Sequence, residues 1–191
     1  PASAYADTTS VLVANKWQHH TVTRDYGVGE IKLYIDGVLT DSSVLVTSEG
    51  ELLRKMNTRD GFALKAAVDA GLTVCVISGG RNEGVRKRLE GLGVSHIFLG
   101  CHDKEKQLKT LLKTLNTSAK EVMYMGDDIP DIPAMLMVGL PSCPQDAVPE
   151  VKRVSQYISH VKGGHGAARD IIKQILKIKG TWMAGFDAQY D

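Results

Sequence analysis

A chain of 191 residues and 20.7 kDa has room for one ordinary domain with a proper apolar core. Hydrophobic residues at 43% and charged residues at 24% describe a soluble globular protein, and a net charge of +1 excludes the strongly basic balance of a nucleic-acid binder. No apolar run approaches the roughly 20 residues that cross a bilayer, so no membrane partner is expected.

The N-terminal 29 residues are set aside as an appendage, fused or disordered, until the motifs are described. From residue 30 the chain alternates short apolar strands with amphipathic helices, the pattern of a parallel sheet covered on both faces. Residues 31–35 read as a first strand. Residues 44–46 and 52–56, joined by Ser48-Glu49-Gly50, read as a β-hairpin with a glycine turn. Thr58 offers an N-cap to a helix with Phe62, Ala63, Ala66, Ala67 and Ala70 on one face, and Gly71 closes it. Residues 73–77 are a β-branched run suited to a buried strand, and a helix over 82–92 ends at Gly93. A short strand around 96–99 precedes Asp103, which caps a helix bearing Leu108, Leu111, Leu112 and Leu115. Residues 121–125 form the next strand, followed by a helix over 130–137, edge strands at 138–140 and 157–158, and a last helix over 167–178. An open sheet of this kind predicts a ligand crevice at the carboxyl ends of its strands.

Cysteine usage fits a reducing cytoplasm. Cys75, Cys101 and Cys143 are odd in number and widely spaced, which suits neither a disulfide frame nor a zinc site. Each reads as a small buried hydrophobe. Nothing near Pro1 has the charged start and apolar run of a leader peptide.

Polar residues gather at the predicted strand ends. Asp36-Gly37-Val38-Leu39-Thr40-Asp41 follows the first strand, Ser78-Gly79-Gly80-Arg81 the second, and Gly126-Asp127-Asp128-Ile129-Pro130-Asp131 a later one, while Lys104 opens a helix. Taken singly, Ser78-Gly79-Gly80 is an ordinary turn and Lys104 an ordinary surface lysine. Asp127, Asp128 and Asp131 are harder to explain that way, because carboxylates crowded into one loop repel unless a cation sits among them, and hard oxygen ligands suit Mg²⁺. Together these groups supply what a phosphate ester needs. Ser78 and Gly79 offer hydroxyl and N–H donors, Lys104 a point charge, the carboxylates a divalent metal, and Asp36 a proton for the leaving alcohol.

The strings IDGVLTD, KMNTRDGFALK, ISGGR, DK, YMGDDIPD, LPSCPQDAVPEVK and GGHGAARD, in this order and spacing, resemble the cap-less haloacid dehalogenase phosphatases that act on phosphorylated 2-keto-3-deoxy sugar acids, either octulosonate 8-phosphate or nonulosonate 9-phosphate. The resemblance covers residues 31–182 and leaves 183–191 as a tail. It implies a Rossmann-like three-layer α/β fold with a parallel sheet, a small β-hairpin flap and no large cap domain. It further implies Mg²⁺ as cofactor, a role in lipopolysaccharide biosynthesis, a small phosphorylated sugar acid as substrate, and a homotetramer in which neighbouring subunits cover the site. By the family's pattern Asp36 matches the general acid, whose carbonyl also touches the metal; Asp127 matches the metal ligand, with Asp128 and Asp131 beside it. Ser78, Gly79 and Lys104 match the phosphate-binding groups, and Arg81, Thr58 and Asp60 fall where relatives contact substrate.

One position departs. The family's nucleophile is an aspartate two residues before the general acid, and this chain has Tyr34 there. A phenol with an ordinary pKa near ~10 is a poor Mg²⁺ ligand, and losing a covalent nucleophile costs on the order of 10⁶ in rate. The chain is therefore expected to turn over hardly at all, and Tyr34→Asp to restore activity. The residues before it suggest a reason. The run from Asn15 to Asp25 and then Gly29 to Gly37 resembles part of a laminin-G-like or concanavalin-like β-sandwich, and the two resemblances overlap at Ile35-Asp36-Gly37-Val38-Leu39. His19 and His20 then read as strand residues, with no third metal ligand nearby. Two further readings remain: a catalytically dead homologue that holds phosphate or a sugar acid or serves in assembly, and a carbohydrate-binding sandwich, which needs more strands than residues 1–40 supply.

Overall fold

The computed structural model describes residues 32–35 and 38–183. The appendage over 1–29, its histidines, Asp36, and the tail beyond Met183 lie outside the described residues.

Six strands form one parallel sheet: β1 (Lys32–Ile35), β4 (Val74–Ser78), β5 (His96–Leu99), β6 (Val122–Met125), β7 (Leu140–Cys143) and β8 (Tyr157–Ile158), in the order β5-β4-β1-β6-β7-β8. β1 lies between β4 and β6, where the chain, having run outward to β5, crosses back. Such a switch point opens a crevice at the carboxyl ends of the strands. The fold is the expected three-layer α/β sandwich. Alternation along β1 builds it: Leu33 and Ile35 enter one core with α1 (Thr58–Asp69), α2 (Glu83–Gly91) and α6 (Ala167–Ile178). Tyr34 enters the other, with α3 (Lys104–Thr114), α4 (Ile132–Met135) and α5 (Pro149–Val154).

The far end of the sheet is plugged by a charge. Lys32 is buried, and its ammonium donates to Thr117 Oγ1 and, at 3.4 Å, to the Leu115 carbonyl at the C-terminus of α3. A cation there meets the negative end of the helix dipole.

Several sequence expectations shift by a residue or more. α1 is capped by Asn57, whose side-chain oxygen accepts from the Arg59 and Asp60 amides; Thr58 is the first helical residue instead. The helix expected over 130–137 is a 3₁₀ turn, Ile129–Asp131, followed by the single turn of α4. The strand expected at 138–140 is displaced to β7, and Gly139 before it packs against the Lys120 carbonyl with no room for a side chain. Of the cysteines, Cys75 and Cys143 are buried and Cys101 half-buried, and all three are free.

A separate hairpin, β2 (Leu45–Val46) with β3 (Leu52–Leu53), stands off the sheet. Gly50, at φ +82°, turns it. Leu45, Val46 and Leu52 on it are 66%, 62% and 51% exposed, which is the flap the sequence suggested.

Candidate active site

The loop after β4 is stitched to the loop after β5: the Gly100 amide donates to the Gly80 carbonyl and the Cys101 amide to the Ser78 carbonyl, both at 2.9 Å. Ser78 thereby stands at the carboxyl edge, with its Oγ accepting from the Gly80 amide at 3.3 Å. Asn82 then caps α2 by accepting from the Val85 amide. Next along the edge, Asp103 caps α3 through the Lys106 amide, which makes Lys104 the first residue of that helix. The Lys104 side chain is only 12% exposed, and its ammonium lies 2.8 Å from Asp131 Oδ1.

Asp131 is the hub of the loop after β6. Its carboxylate is fully buried; Oδ1 also accepts from the Tyr124 hydroxyl at 3.1 Å, and Oδ2 accepts from the Asp127 and Asp128 amides at 3.0 and 3.2 Å. Every lone pair that could face a metal is engaged inside the protein, so Asp131 positions Lys104 and the loop and is not a metal ligand. Asp128 is exposed and caps the 3₁₀ turn at the Ile129 amide. Among the described residues, which do not include Asp36, no group of three or more His, Cys, Asp or Glu side chains stands so as to hold a metal.

Asp127 differs from both. Burial, followed by the repulsion of Asp131, pushes its carboxyl up to about 6, against the Ser42 hydroxyl (3.1 Å from Oδ2) and the Lys104 charge, which favour ionisation. A half-buried carboxylate held beside another carboxylate and open toward the strand ends has the chemistry of a cation ligand. Asp127 thus fits a divalent metal.

A cavity of about 630 Å³ opens at this edge, lined among others by Thr40, Ser42, Ser78, Arg81, Asn82 and Arg54. Ser42 joins it to Asp127, Asp127 to Asp131, and Asp131 to Lys104. Gly79 also lines it, so the expected phosphate loop is at the cavity. Thr58 and Asp60 do not line it. Asp60 is buried, and its two oxygens accept from the Gly166 amide at 3.1 Å and the Arg169 amide at 2.7 Å, closing the N-terminus of α6 from a neighbouring helix. Burial raises its pKa, and its role is structural.

Tyr34 lies inside the core. It pairs in register with Cys75 on β4 and Tyr124 on β6, three residues short of Ser78 and Asp127. At 3.3 Å per residue that is about 10 Å below the edge. The side chain is fully buried, its ring stacks on Tyr124 with centroids 6.5 Å apart, and its hydroxyl faces the Cys75 thiol without a hydrogen bond of good geometry. Burial raises the pKa of both groups, the thiol to about 12. Tyr34 is a core residue and does not line the cavity. The sequence reading also missed Ser42, Arg54 and Asn82, none of which carries a motif.

Comparison with known proteins bears on this geometry. A 3-deoxy-D-manno-octulosonate 8-phosphate phosphatase of Yersinia pestis is 32% identical over 174 residues, covering 91% of each chain. The chain belongs to this phosphatase family. The solved member from Moraxella catarrhalis, in complex with magnesium, phosphate and KDO, is 33% identical with a TM-score of 0.74, over 78% of this chain and 87% of that one. The cobalt-bound member from Haemophilus influenzae gives 33% and 0.77, over 84% and 96%. A model of haloacid dehalogenase-like hydrolases matches residues 99–171, the stretch that carries Lys104, Asp127 and Asp131. A model of the concanavalin A-like lectin/glucanase superfamily matches residues 1–62. Within its described part, β1 is the central strand and residues 58–62 open α1, so those residues are built into the family's fold.

Proposed function

We propose that this protein is a Mg²⁺-dependent phosphomonoester hydrolase that removes phosphate from a 2-keto-3-deoxy sugar acid phosphate, octulosonate 8-phosphate or nonulosonate 9-phosphate. The observation that carries the reading is the Lys104–Asp131 pair, held by two loop amides and Tyr124 beside the Ser78 loop and Asp127. That arrangement presents a fixed cation, a hydroxyl with backbone donors, and a half-buried carboxylate along one edge. Phosphoryl transfer needs little more than such positioning and charge.

Asp127 and Asp36 would hold the metal, which supplies charge to offset repulsion between the phosphate and a carboxylate. Ser78 and the amides of the loop after it bind phosphate oxygens, Lys104 neutralises them, and Arg81 meets the substrate at the rim. Asp36 protonates the leaving alcohol. The exposed apolar hairpin supports assembly, since a face of this kind on a small domain is covered most simply by another copy, in a homotetramer. This chemistry belongs to the cytoplasm.

A second reading has its own observation. No aspartate stands two residues before Asp36, and Tyr34 faces the core. On that reading the site binds the phosphate and sugar acid without turning them over. Phosphate release from a panel of sugar acid phosphates, with Mg²⁺ and with chelator, separates the two: release supports the hydrolase, and tight binding without release supports the second.

A further inference from the structure

Arg54 lines the cavity and is half-buried, and its Nη1 is buried without a hydrogen-bond partner. A buried donor on a charged group is costly to leave unmade, and the more so because arginine does not neutralise. Arg54 follows directly on β3, and that strand is not free to move. The Asn82 amide donates to the Leu52 carbonyl at 2.7 Å, while the same side chain's oxygen caps α2 at the Val85 amide, 3.0 Å away. Asn82 also lines the cavity, immediately after the Ser78–Arg81 loop. One side chain therefore ties the hairpin to the phosphate loop and fixes the distance between the two.

We propose that Arg54, held in place by Asn82, is a receptor for a second anionic group of the substrate, a carboxylate, set apart from the phosphate bound at Ser78 and Lys104. The inference rests on the reading of the site as one for a phosphorylated sugar acid and goes further by naming how the acid is recognised. Arg54 contributes a planar fork that pairs with both carboxylate oxygens, which a hydroxyl or an aldehyde at that place does not match. Asn82 acts through Arg54 as a positioning residue.

Calorimetry on the full chain with Mg²⁺ tests this, with inorganic phosphate, 3-deoxy-D-manno-octulosonate and its methyl ester as probes. Arg54→Met is expected to weaken the free sugar acid by at least about tenfold, the scale of one charge-assisted hydrogen bond, and to leave phosphate and the ester within about twofold. Asn82→Ser keeps an N-cap oxygen but lacks the amide donor. It should hold its melting temperature, speed hydrogen exchange over residues 44–53, and weaken the sugar acid alone. Equal weakening of phosphate and sugar acid by Arg54→Met would place Arg54 at the phosphate end and overturn the proposal. So would unchanged sugar-acid affinity, or a native chain that binds phosphate and not the sugar acid. A native chain that binds neither would overturn the reading of the site itself.

Discussion

Replacing Tyr34 with aspartate distinguishes a core residue from a catalytic position. Tyr34 is fully buried and stacked on Tyr124. A tyrosine buries about 150–250 Å², so at about 25 cal/mol per Å² its removal forfeits roughly 4–6 kcal/mol, and the lost stacking adds about 1 kcal/mol. The new carboxylate would sit against Cys75 and Tyr124, where burial already raises the thiol and phenol pKa values, and would have to be neutral or uncompensated. Such a loss rivals the roughly 5–15 kcal/mol that holds a typical domain together. The expected outcome is a protein that fails to fold or melts far below the native chain, with no gain in phosphate release. Tyr34→Phe removes only the unbonded hydroxyl and should be neutral, or stabilising by up to about 1 kcal/mol. Thermal melting and chemical denaturation read both variants. A Tyr34→Asp protein that melts like the native chain and releases phosphate faster would refute the register on which this reasoning rests.

Three further outcomes follow from the site and the hairpin. Asp131→Asn leaves Lys104 without its buried partner and should cost about 3–5 kcal/mol in denaturant unfolding, while raising the Kd for inorganic phosphate; an unchanged phosphate Kd would remove Lys104 from the site. Asp127 has a folded-state pKa of about 6, above its ordinary value, so in metal-free protein its ionisation opposes folding increasingly as pH rises through about 6. Asp127→Asn should therefore stabilise the chelated protein by about 1–3 kcal/mol above about pH 7 and hardly at all near about pH 4, and should abolish the rise in melting temperature that Mg²⁺ gives the native chain; a stabilisation independent of pH would show that charge is not the cause. Leu45→Lys with Val46→Lys places charge on the exposed hairpin and should shift light-scattering mass to that of a monomer, and a native chain that is already monomeric at all concentrations would dispose of the tetramer.

What the sequence revealed follows the range of the interactions. β4, β5 and α6 are apolar patterns followed or preceded by glycines, and they lie where the sequence pattern puts them. α5 was missed because six residues opened by a proline are too short to show a period. The edge of the sheet was legible as a set of motifs, but the division of labour among its carboxylates was not. Asp60 and Asp131 look like ligands in a string of letters. Both are instead turned inward onto backbone amides 106 residues and 4 residues away. The depth of Tyr34, level with Cys75, comes from the strand register, which spacing alone does not give. Arg54 and Asn82 depend on a contact across 30 residues between hairpin and helix, which no local pattern announces.

The central claim is a metal-dependent phosphatase site built on Asp127, Lys104 and the Ser78 loop. Its most direct test is phosphate release from 3-deoxy-D-manno-octulosonate 8-phosphate by the native chain, with Mg²⁺, with chelator, and in the Asp127→Ala variant. Release that requires Mg²⁺, stops with chelator and disappears in Asp127→Ala is the predicted result. Release indifferent to chelator and to Asp127→Ala, or none from a folded native chain, would contradict it.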